Sequence, residues 1–336
     1  MLHRFRATGA DLPFADLRRA HGVAMEGFFW RLTDAAAGRA VIVLCGVNRD
    51  RLGHPWALVG LAAHPGGFVR HAVLPVAHAG LRRYAVSAGD ALRADAHGLD
   101  VDLGPDARLR VRFDGVRGWP STRAYGGLGI AHALPGLDQY WHPHALGGRA
   151  TGHAVLGGER VGLRGARLYA EKNWSPVGFP SRWWWGHAAD FEDEDLCVAF
   201  AGGAVGLGPG RLTATAVVVR AGGRVLRLGN PVTSPVTAEV RDGVWRVRGR
   251  AARYAVELEG EADPGLAHVL PVPLPAERRA VPGSLQHLGG RLRLSVRRHG
   301  RRWLEAESAL AGLEQGGREH AAAELERRAA ATPLAA

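Results

Sequence analysis

Polar and apolar residues alternate along many short stretches of this chain. Alternation with a period of two is typical of β-strands that bury one face. Turn signals such as Gly222-Gly223 and Asp242-Gly243 separate the stretches, and few intervals have the length and periodicity of a helix. The pattern therefore predicts an all-β protein with antiparallel sheets. The predicted strands are 39–47, 108–113, 167–173, 182–191, 212–220, 244–248, 254–259 and 292–298.

The length of 336 residues predicts two domains, at roughly 100–200 residues each. The interval 119–148 lacks clear alternation and is rich in Gly, Pro, Trp and His, so we expect the crossover between two halves there. We predict one β domain over residues 1–135 and a second over 136–316. The remaining tail, 317–336, is predicted to be helical or frayed because it is rich in Ala, Glu and Arg.

The formal charge of +11 raises the question of a nucleic-acid partner. The basic residues are spread along the chain without a dense run, which does not favour a groove that follows a phosphate backbone. A weak attraction to anionic membrane surfaces remains compatible with this charge. Because no segment approaches a signal peptide or the ~20 apolar residues of a membrane span, we expect a cytoplasmic protein, with peripheral membrane contact as an open alternative.

Cofactor signatures do not stand out in the sequence. The two cysteines, Cys45 and Cys197, are far apart and have no metal-ligand spacing, so we expect two buried free thiols. There is no Gly-rich loop ending in GK[ST], no G-x-S-x-G, no HExxH and no dinucleotide fingerprint after a strand. We therefore expect chemistry that needs no cofactor.

The segment 169–187 is the most unusual part of the chain, because it holds four of the ten tryptophans and Lys172, the single lysine. On a strand, Tyr169, Glu171 and Asn173 share one face and Lys172 lies on the other. One interpretation is an apolar cavity lined by aromatic side chains with a polar group inside it. The alternative is ordinary packing between a strand and its hairpin partner.

Two further clusters are candidates for the same site. His142 and His144 would meet on one strand face near Tyr140. They would act as a metal pair, as hydrogen-bonded structural residues, or in pocket lining or proton transfer. Near the N-terminus, Glu26 and Trp30 share a face. Glu26 is expected either to pair with an arginine or to have a pKa raised by desolvation.

These motifs resemble the tocopherol cyclase family, to which carotenoid hydratases and lipocalin-like Diels–Alderases are more distantly related. In two places the sequence departs from the family pattern: 175–177 replaces a Gly-rich turn, and His187 stands where a glutamine is expected. The similar residues are Tyr169, Glu171-Lys172-Asn173-Trp174, Phe179-Pro180, Trp183-Trp184-Trp185, Gly147-Gly148, Thr151-Gly152, Gly158-Glu159-Arg160, Glu26-Gly27, Leu292-Arg293-Leu294 and Leu304-Glu305-Ala306.

The resemblance implies two lipocalin-like β-barrel or sandwich halves that pack side by side around a pocket, and a short C-terminal helix. It also implies cyclisation of a prenylated hydroquinone to a chromanol by alkene protonation and phenol attack. Glu171 or His187 would deliver the proton, and aromatic faces would stabilise the cation. The expected substrate-binding residues are Tyr169, Lys172, Asn173, Trp174, Phe179, Trp183, Trp184, Trp185, Glu26, Trp30, Tyr140 and His142. A non-enzymatic binder of an apolar ligand, or an isoprenoid hydratase, are the alternatives.

Overall fold

The computed structural model describes residues 20–331 except 82, 124 and 135, and the side chains of 133 and 331 are also left undescribed. The first 19 residues of the predicted N-terminal domain and the predicted frayed end at 332–336 lie outside the described residues. Within the described part, the chain forms two antiparallel sheets. No helix of this part has the length and apolar character needed to span a bilayer.

The first sheet contains twelve strands within the described residues, in the order β4-β3-β2-β1-β12-β11-β9-β8-β7-β6-β5, and β10 also pairs with β12. A 3₁₀ helix, Gly129–Ala133, precedes β10. The strands are β1 (Met25–Asp34), β2 (Arg39–Arg49), β3 (Pro55–His64), β4 (Phe68–Leu74), β5 (His78–Ala79), β6 (Ala85–Ala88), β7 (Leu92–Asp95), β8 (Gly98–Asp102), β9 (Ala107–Asp114), β10 (Tyr140–Ala145), β11 (Arg149–Leu156) and β12 (Glu159–Ser175).

The second sheet contains ten strands within the described residues, in the order β16-β15-β14-β13-β22-β21-β19-β18-β17, and β20 pairs with β21. Helix α1 (Arg318–Ala331) follows, and short 3₁₀ helices span Pro264–Leu266 and Pro275–Glu277. The strands are β13 (Trp183–Ala188), β14 (Cys197–Leu207), β15 (Gly210–Ala221), β16 (Arg224–Leu228), β17 (Val236–Arg241), β18 (Val244–Arg250), β19 (Tyr254–Glu261), β20 (His268–Leu274), β21 (Arg279–Arg298) and β22 (Arg301–Gly316).

Each sheet curls around its own apolar core. In the first sheet, side chains from β1 to β3 meet side chains from β6 to β9, β11 and β12 in one buried cluster. In the second sheet, β13 to β19, β21 and β22 contribute to a separate cluster. This confirms the prediction of an all-β, lipocalin-like protein with two curled antiparallel halves and one C-terminal helix.

The strands where the two halves meet are buried on both faces. On β2, Val41 and Val43 point into the first core, whereas Ile42 packs against Leu270 and Leu288 of the second half. Every residue of β10 and β13 is buried. Double burial explains why three consecutive tryptophans are tolerated in β13, where a strand with one solvated face would alternate.

A buried arginine joins the two halves. The Nη2 atom of Arg31, on β1, donates to the carbonyl oxygens of Leu288 (2.8 Å) and Leu310 (2.5 Å) in the second half. The side chain is fully buried, and Nε and Nη1 have no partner among the described residues. Burial lowers the pKa of Arg31 to about 10, although the charge of Asp190 acts in the opposite direction, so the guanidinium remains charged.

The strands predicted from alternation all fall within or overlap observed strands. The sheets change between Ser175 and Trp183, and β10 to β12, which the predicted boundary at 135 assigns to the second half, pair in the first sheet. The division of the chain into folding domains stays a prediction. The predicted helix is present as α1, and both cysteines are free and buried.

Candidate active site

An apolar cavity of about 280 Å³ lies between the two halves. Strands β1 to β3, β10 and β12 line one side, and β13 to β15 and β20 to β22 line the other. Large aromatic side chains, among them Phe29, Trp141 and Trp185, form much of the wall. Such an enclosure favours an apolar ligand with few polar contacts.

Among the described residues, two carboxyl groups line this wall, and Glu171 is the first. Its Oε2 atom accepts hydrogen bonds from Trp141 Nε1 (2.8 Å), Tyr169 Oη (2.5 Å) and Trp185 Nε1 (2.8 Å). Burial raises the pKa of Glu171, and the three donors oppose that shift because they stabilise the anion. One oxygen of Glu171 is therefore fixed by three donors.

Glu314, on β22, is the second carboxyl group that lines the cavity. Trp183 Nε1 donates to its Oε1 at 2.7 Å. Burial raises the pKa of Glu314 to about 7; hydrogen bonds from Trp183 and Ser284 lower it, and the charge of Glu171 raises it. Glu314 therefore keeps its proton up to near neutral pH.

The tryptophan triplet of β13 connects these groups. Trp183 donates to Glu314, Trp185 donates to Glu171, and the Nε1 atom of Trp184 donates to Thr215 Oγ1 at 3.2 Å. Each indole thus presents its ring to the cavity and satisfies its single polar atom.

Room for these rings comes from a glycine on the neighbouring strand. Trp183 lies opposite Gly316 in the pairing of β13 with β22. A Cβ atom on residue 316 would overlap the Trp183 indole. A side chain at this position is therefore incompatible with the observed ring placement.

The comparison with known protein families gives an independent result. The family model described as tocopherol cyclase-like matches residues 85–317, a range that contains Glu171, the tryptophan triplet and Glu314. The match covers more than half of the chain. The chain belongs to the tocopherol cyclase-like family.

Solved structures with the same fold are distant in sequence from this tocopherol cyclase-like chain. Kievitone hydratase from Nectria haematococca superposes with a TM-score of 0.55 at 11% identity, covering 93% of this chain and 95% of the hydratase. CghA with Sch210972 superposes with a TM-score of 0.58 at 12% identity, covering 88% of this chain and 89% of CghA. These similarities establish the fold, whereas the family membership supports an enzyme that modifies an isoprenoid compound.

Lys172 lies on the face of β12 that points away from the cavity of this tocopherol cyclase-like protein. Its Nζ atom is fully buried and contacts the carbonyl oxygen of Ala20 (2.6 Å) and Oε2 of Glu26 (3.2 Å). Burial by itself would raise the pKa of Glu26, but a hydrogen bond from His21, the charge of Lys172 and a backbone donor outweigh it and lower the pKa. The partners of Glu26 are thus a lysine and a histidine. The sequence predicted either an arginine partner or a raised pKa, and both predictions are wrong.

His187 is buried outside the cavity lining. Its ring stacks on Tyr169, with ring centroids 3.9 Å apart, and its Nε2 atom lies 3.6 Å from Cys197 Sγ. Burial, and to a smaller extent the charge of Arg31, lower the pKa of His187 well below its ordinary value. A neutral imidazole in this position supports Tyr169 and does not fit the predicted role of proton donor.

Other predicted binding residues divide between the cavity and its surroundings. Asn173 and Phe179 line the cavity, and the Phe179 ring stacks on Trp183 at 4.9 Å. Tyr140 also lines it and stacks on Trp174, which is buried in a neighbouring cluster.

Trp30 and His142 lie away from the cavity lining. Trp30 is part of the first core. His142 is buried in contact with the rings of Trp119 and His132. Burial is the main cause that lowers its pKa well below the ordinary value. Within the described residues, no three His, Cys, Asp or Glu side chains form a group suited to a metal ion, so the histidine pair has no third ligand there.

Sequence reasoning missed Glu314. The available signal was a single carboxylate that follows the apolar run 309–313 and is flanked by Gly312 and Gly316. Small residues on the same strand face leave space for large rings from a neighbouring strand. The pairing with β13, which brings the tryptophans to that space, was needed to recognise it.

Proposed function

We propose that the protein catalyses cyclisation of a prenylated hydroquinone to a chromanol, with Glu314 as the acid. A carboxyl group that holds its proton near neutral pH, set in the wall of an apolar, tryptophan-lined cavity, carries this proposal. Family membership supports an isoprenoid substrate. The reaction is an isomerisation, so every atom of the substrate is kept.

The proton is transferred first. The Glu314 carboxyl donates it to the less substituted carbon of the trisubstituted alkene, and the positive charge develops on the tertiary carbon. The phenol oxygen of the substrate then forms a C–O bond to this carbon and loses its proton to the carboxylate. Glu314 is restored as an acid, which is the cycle expected of a general acid whose pKa lies near the working pH.

The remaining groups of the cavity act on the cation. Indole and phenyl faces attract a positive charge, and Trp183, Trp185 and Phe29 present such faces to the cavity. Glu171, whose Oε2 atom is fixed by three donors, adds an oriented carboxyl oxygen to the same wall. The apolar wall also limits water, which would otherwise capture the cation and give a tertiary alcohol.

Incubation of the protein with a phytylated methylhydroquinone in D₂O without oxygen tests this proposal. The expected product is a chromanol with one carbon-bound deuterium and no added oxygen. Addition of a water would instead establish a hydratase. Saturable quenching of tryptophan fluorescence without any product would establish a binder, and in both cases the cyclase proposal would be overturned.

The Glu314→Gln variant distinguishes proton donation by Glu314 from ligand binding in the cavity. Glutamine keeps an acceptor for Trp183 and removes the transferable proton. The variant is expected to bind the hydroquinone with similar affinity and to turn it over at least about 100-fold more slowly. Equal turnover in the variant and the unmodified protein would exclude Glu314 as the acid.

A further inference from the structure

The cavity opens at a rim of exposed apolar side chains. Leu134, Leu207 and Leu212 line the cavity and are also exposed, by 46%, 38% and 39%. Ile130 (59%) and Val232 (88%) continue the exposed surface. Each of these two is next in sequence to a cavity-lining residue. These five residues are called the mouth rim below.

The mouth rim is one surface although it comes from three segments. An isolated bridge between Leu137 and Leu207 joins the loop before β10 to the β14–β15 hairpin. A Cβ atom on Gly129 would contact the Arg227 guanidinium, which places the 3₁₀ helix beside β16. Val232 follows in the loop after β16. The three leucines of the mouth rim thus line the cavity and are exposed at its opening.

The charge around this opening is positive. The segments that carry the mouth rim are 123–138, 205–212 and 225–234, and they contain three arginines and a single acidic residue, Asp138. A fourth arginine, Arg182, immediately precedes β13. Arg182 and Arg211 are exposed. Nη1 of Arg211 donates to Ser181 Oγ at 3.2 Å, which places it near Arg182. Exposed apolar side chains beside basic ones are the composition that binds anionic lipid surfaces.

We propose that the mouth rim docks on an anionic lipid bilayer and turns the cavity opening toward the acyl chains. An apolar surface in contact with water costs free energy, and insertion of the rim side chains at the boundary between headgroups and acyl chains relieves that cost. The arginines beside the rim lie at the level of the anionic headgroups. Docking is independent of the reaction, because it is measured on vesicles without substrate.

Sedimentation with phosphatidylcholine vesicles, with and without phosphatidylglycerol, tests the proposal. The unmodified protein is expected to bind the vesicles that contain phosphatidylglycerol and to be released by salt. The double variant Arg182→Gln/Arg211→Gln should bind about 25-fold more weakly, since a basic residue contributes ~1 kcal/mol, or about fivefold, at an anionic surface. The variant Leu212→Asp/Val232→Asp should abolish binding.

Matched controls lie at the far end of β22, which is roughly 40 Å from Glu314 at about 3.3 Å per residue. Arg297→Gln/Arg301→Gln makes the same change of charge at the tip of the β21–β22 hairpin, where Arg298 pairs with Arg301. Trp303→Asp makes the same apolar-to-acidic change at a residue 39% exposed. Both controls are expected to bind vesicles about as tightly as the unmodified protein.

A fluorescent probe gives a readout that general destabilisation would not produce. An environment-sensitive dye on a Val232→Cys variant should shift to the blue on anionic vesicles, and the same dye on Trp303→Cys should not. Equal loss of binding in rim and control variants, an equal dye response at both positions, or no binding to anionic vesicles would each overturn the docking proposal.

Discussion

Trp185 Nε1, on the second sheet, donates a 2.8 Å hydrogen bond to Oε2 of Glu171, on the first sheet. The same oxygen accepts from Trp141 and Tyr169 of its own sheet. The carboxylate is therefore held by both halves of the protein, and its position depends on how they pack. A polar group shared in this way fixes the geometry of the cavity wall.

Activity should fall as the pH rises through about 7, because Glu314 must carry a proton to act and its pKa lies near that value. A plot of turnover against pH is expected to show one ionisation on its alkaline side. Glu314→Gln should lose this dependence together with most of its activity. Glu305→Gln, on the same strand, is a control in an exposed ion pair with Arg302 and should leave the profile unchanged.

The free energy of unfolding should also depend on the ionisation of Glu314. The native pKa of about 7 exceeds the ordinary value of 4.5. Between these pH values, Glu314 keeps its proton in the folded protein and releases it in the unfolded chain. Its contribution to the free energy of unfolding is therefore complete below pH 4.5 and is lost as the pH rises through 7.

Urea unfolding of the protein and of Glu314→Gln at pH 5 and pH 8 measures this effect. Relative to the unmodified protein, the variant should become more stable by up to about 3 kcal/mol over that interval. A difference between the two proteins that does not change with pH would contradict the raised pKa.

Glu171→Gln and His187→Ala should differ in what they impair. Glu171→Gln replaces the carboxyl group that accepts three hydrogen bonds in the cavity wall, so turnover should fall about 10-fold or more while the fold is retained. His187→Ala removes a buried ring that stacks on Tyr169, so it should lower the free energy of unfolding by about 2–4 kcal/mol. Turnover and urea unfolding of both variants separate the two roles, and a His187→Ala variant that is stable but inactive would contradict them.

The alternation of polar and apolar residues was sufficient to predict the sheets and the two faces of β12. Tyr169 reaches Glu171 on one face and Lys172 reaches Glu26 on the other, as the period of two requires. Which face meets the cavity depends on how the sheets pack, and no local pattern records that. Trp30 shares a strand with cavity-lining Phe29 and yet belongs to the first core.

The two carboxyl groups of the cavity also show how much of the site the local sequence can predict. Glu171 stands in a conspicuous motif that the sequence analysis singled out, whereas Glu314 follows an apolar run of β22 and stands in no recognisable motif. The long-range pairing of β22 with β13 turns it toward the tryptophans. The ionisation of a buried acid is therefore set by contacts that the local sequence does not contain.

Lys172→Met should destabilise the protein by about 3–5 kcal/mol, because it leaves Glu26 buried without its main cation. Adding Glu26→Gln should recover part of that loss, because the remaining charge is then removed. Urea unfolding of the two single variants and the double variant forms a double-mutant cycle. Additive losses would show that the two charges do not interact.

Gly316→Ala should impair the site without touching a polar group. The added methyl overlaps the Trp183 indole, so the ring must move and its hydrogen bond to Glu314 is lost. Turnover should fall about 10-fold or more, and the pKa read from the activity profile should rise because a donor that favours the anion is gone. Gly162→Ala, where a methyl meets no other atom within 4 Å, is the matched control and should behave like the unmodified protein.

The guanidinium of Arg31 limits how a ligand can reach the interior. Pulling the halves apart would strip a buried cation of the carbonyl oxygens of Leu288 and Leu310 and leave it uncompensated. The hydrogen bonds of Arg31 thus hold the two halves together at this point. Separation of the halves would therefore be a route of ligand entry with a high free-energy cost. Uptake and release of a ligand would therefore proceed at the mouth rim, where the cavity-lining Leu134, Leu207 and Leu212 are exposed.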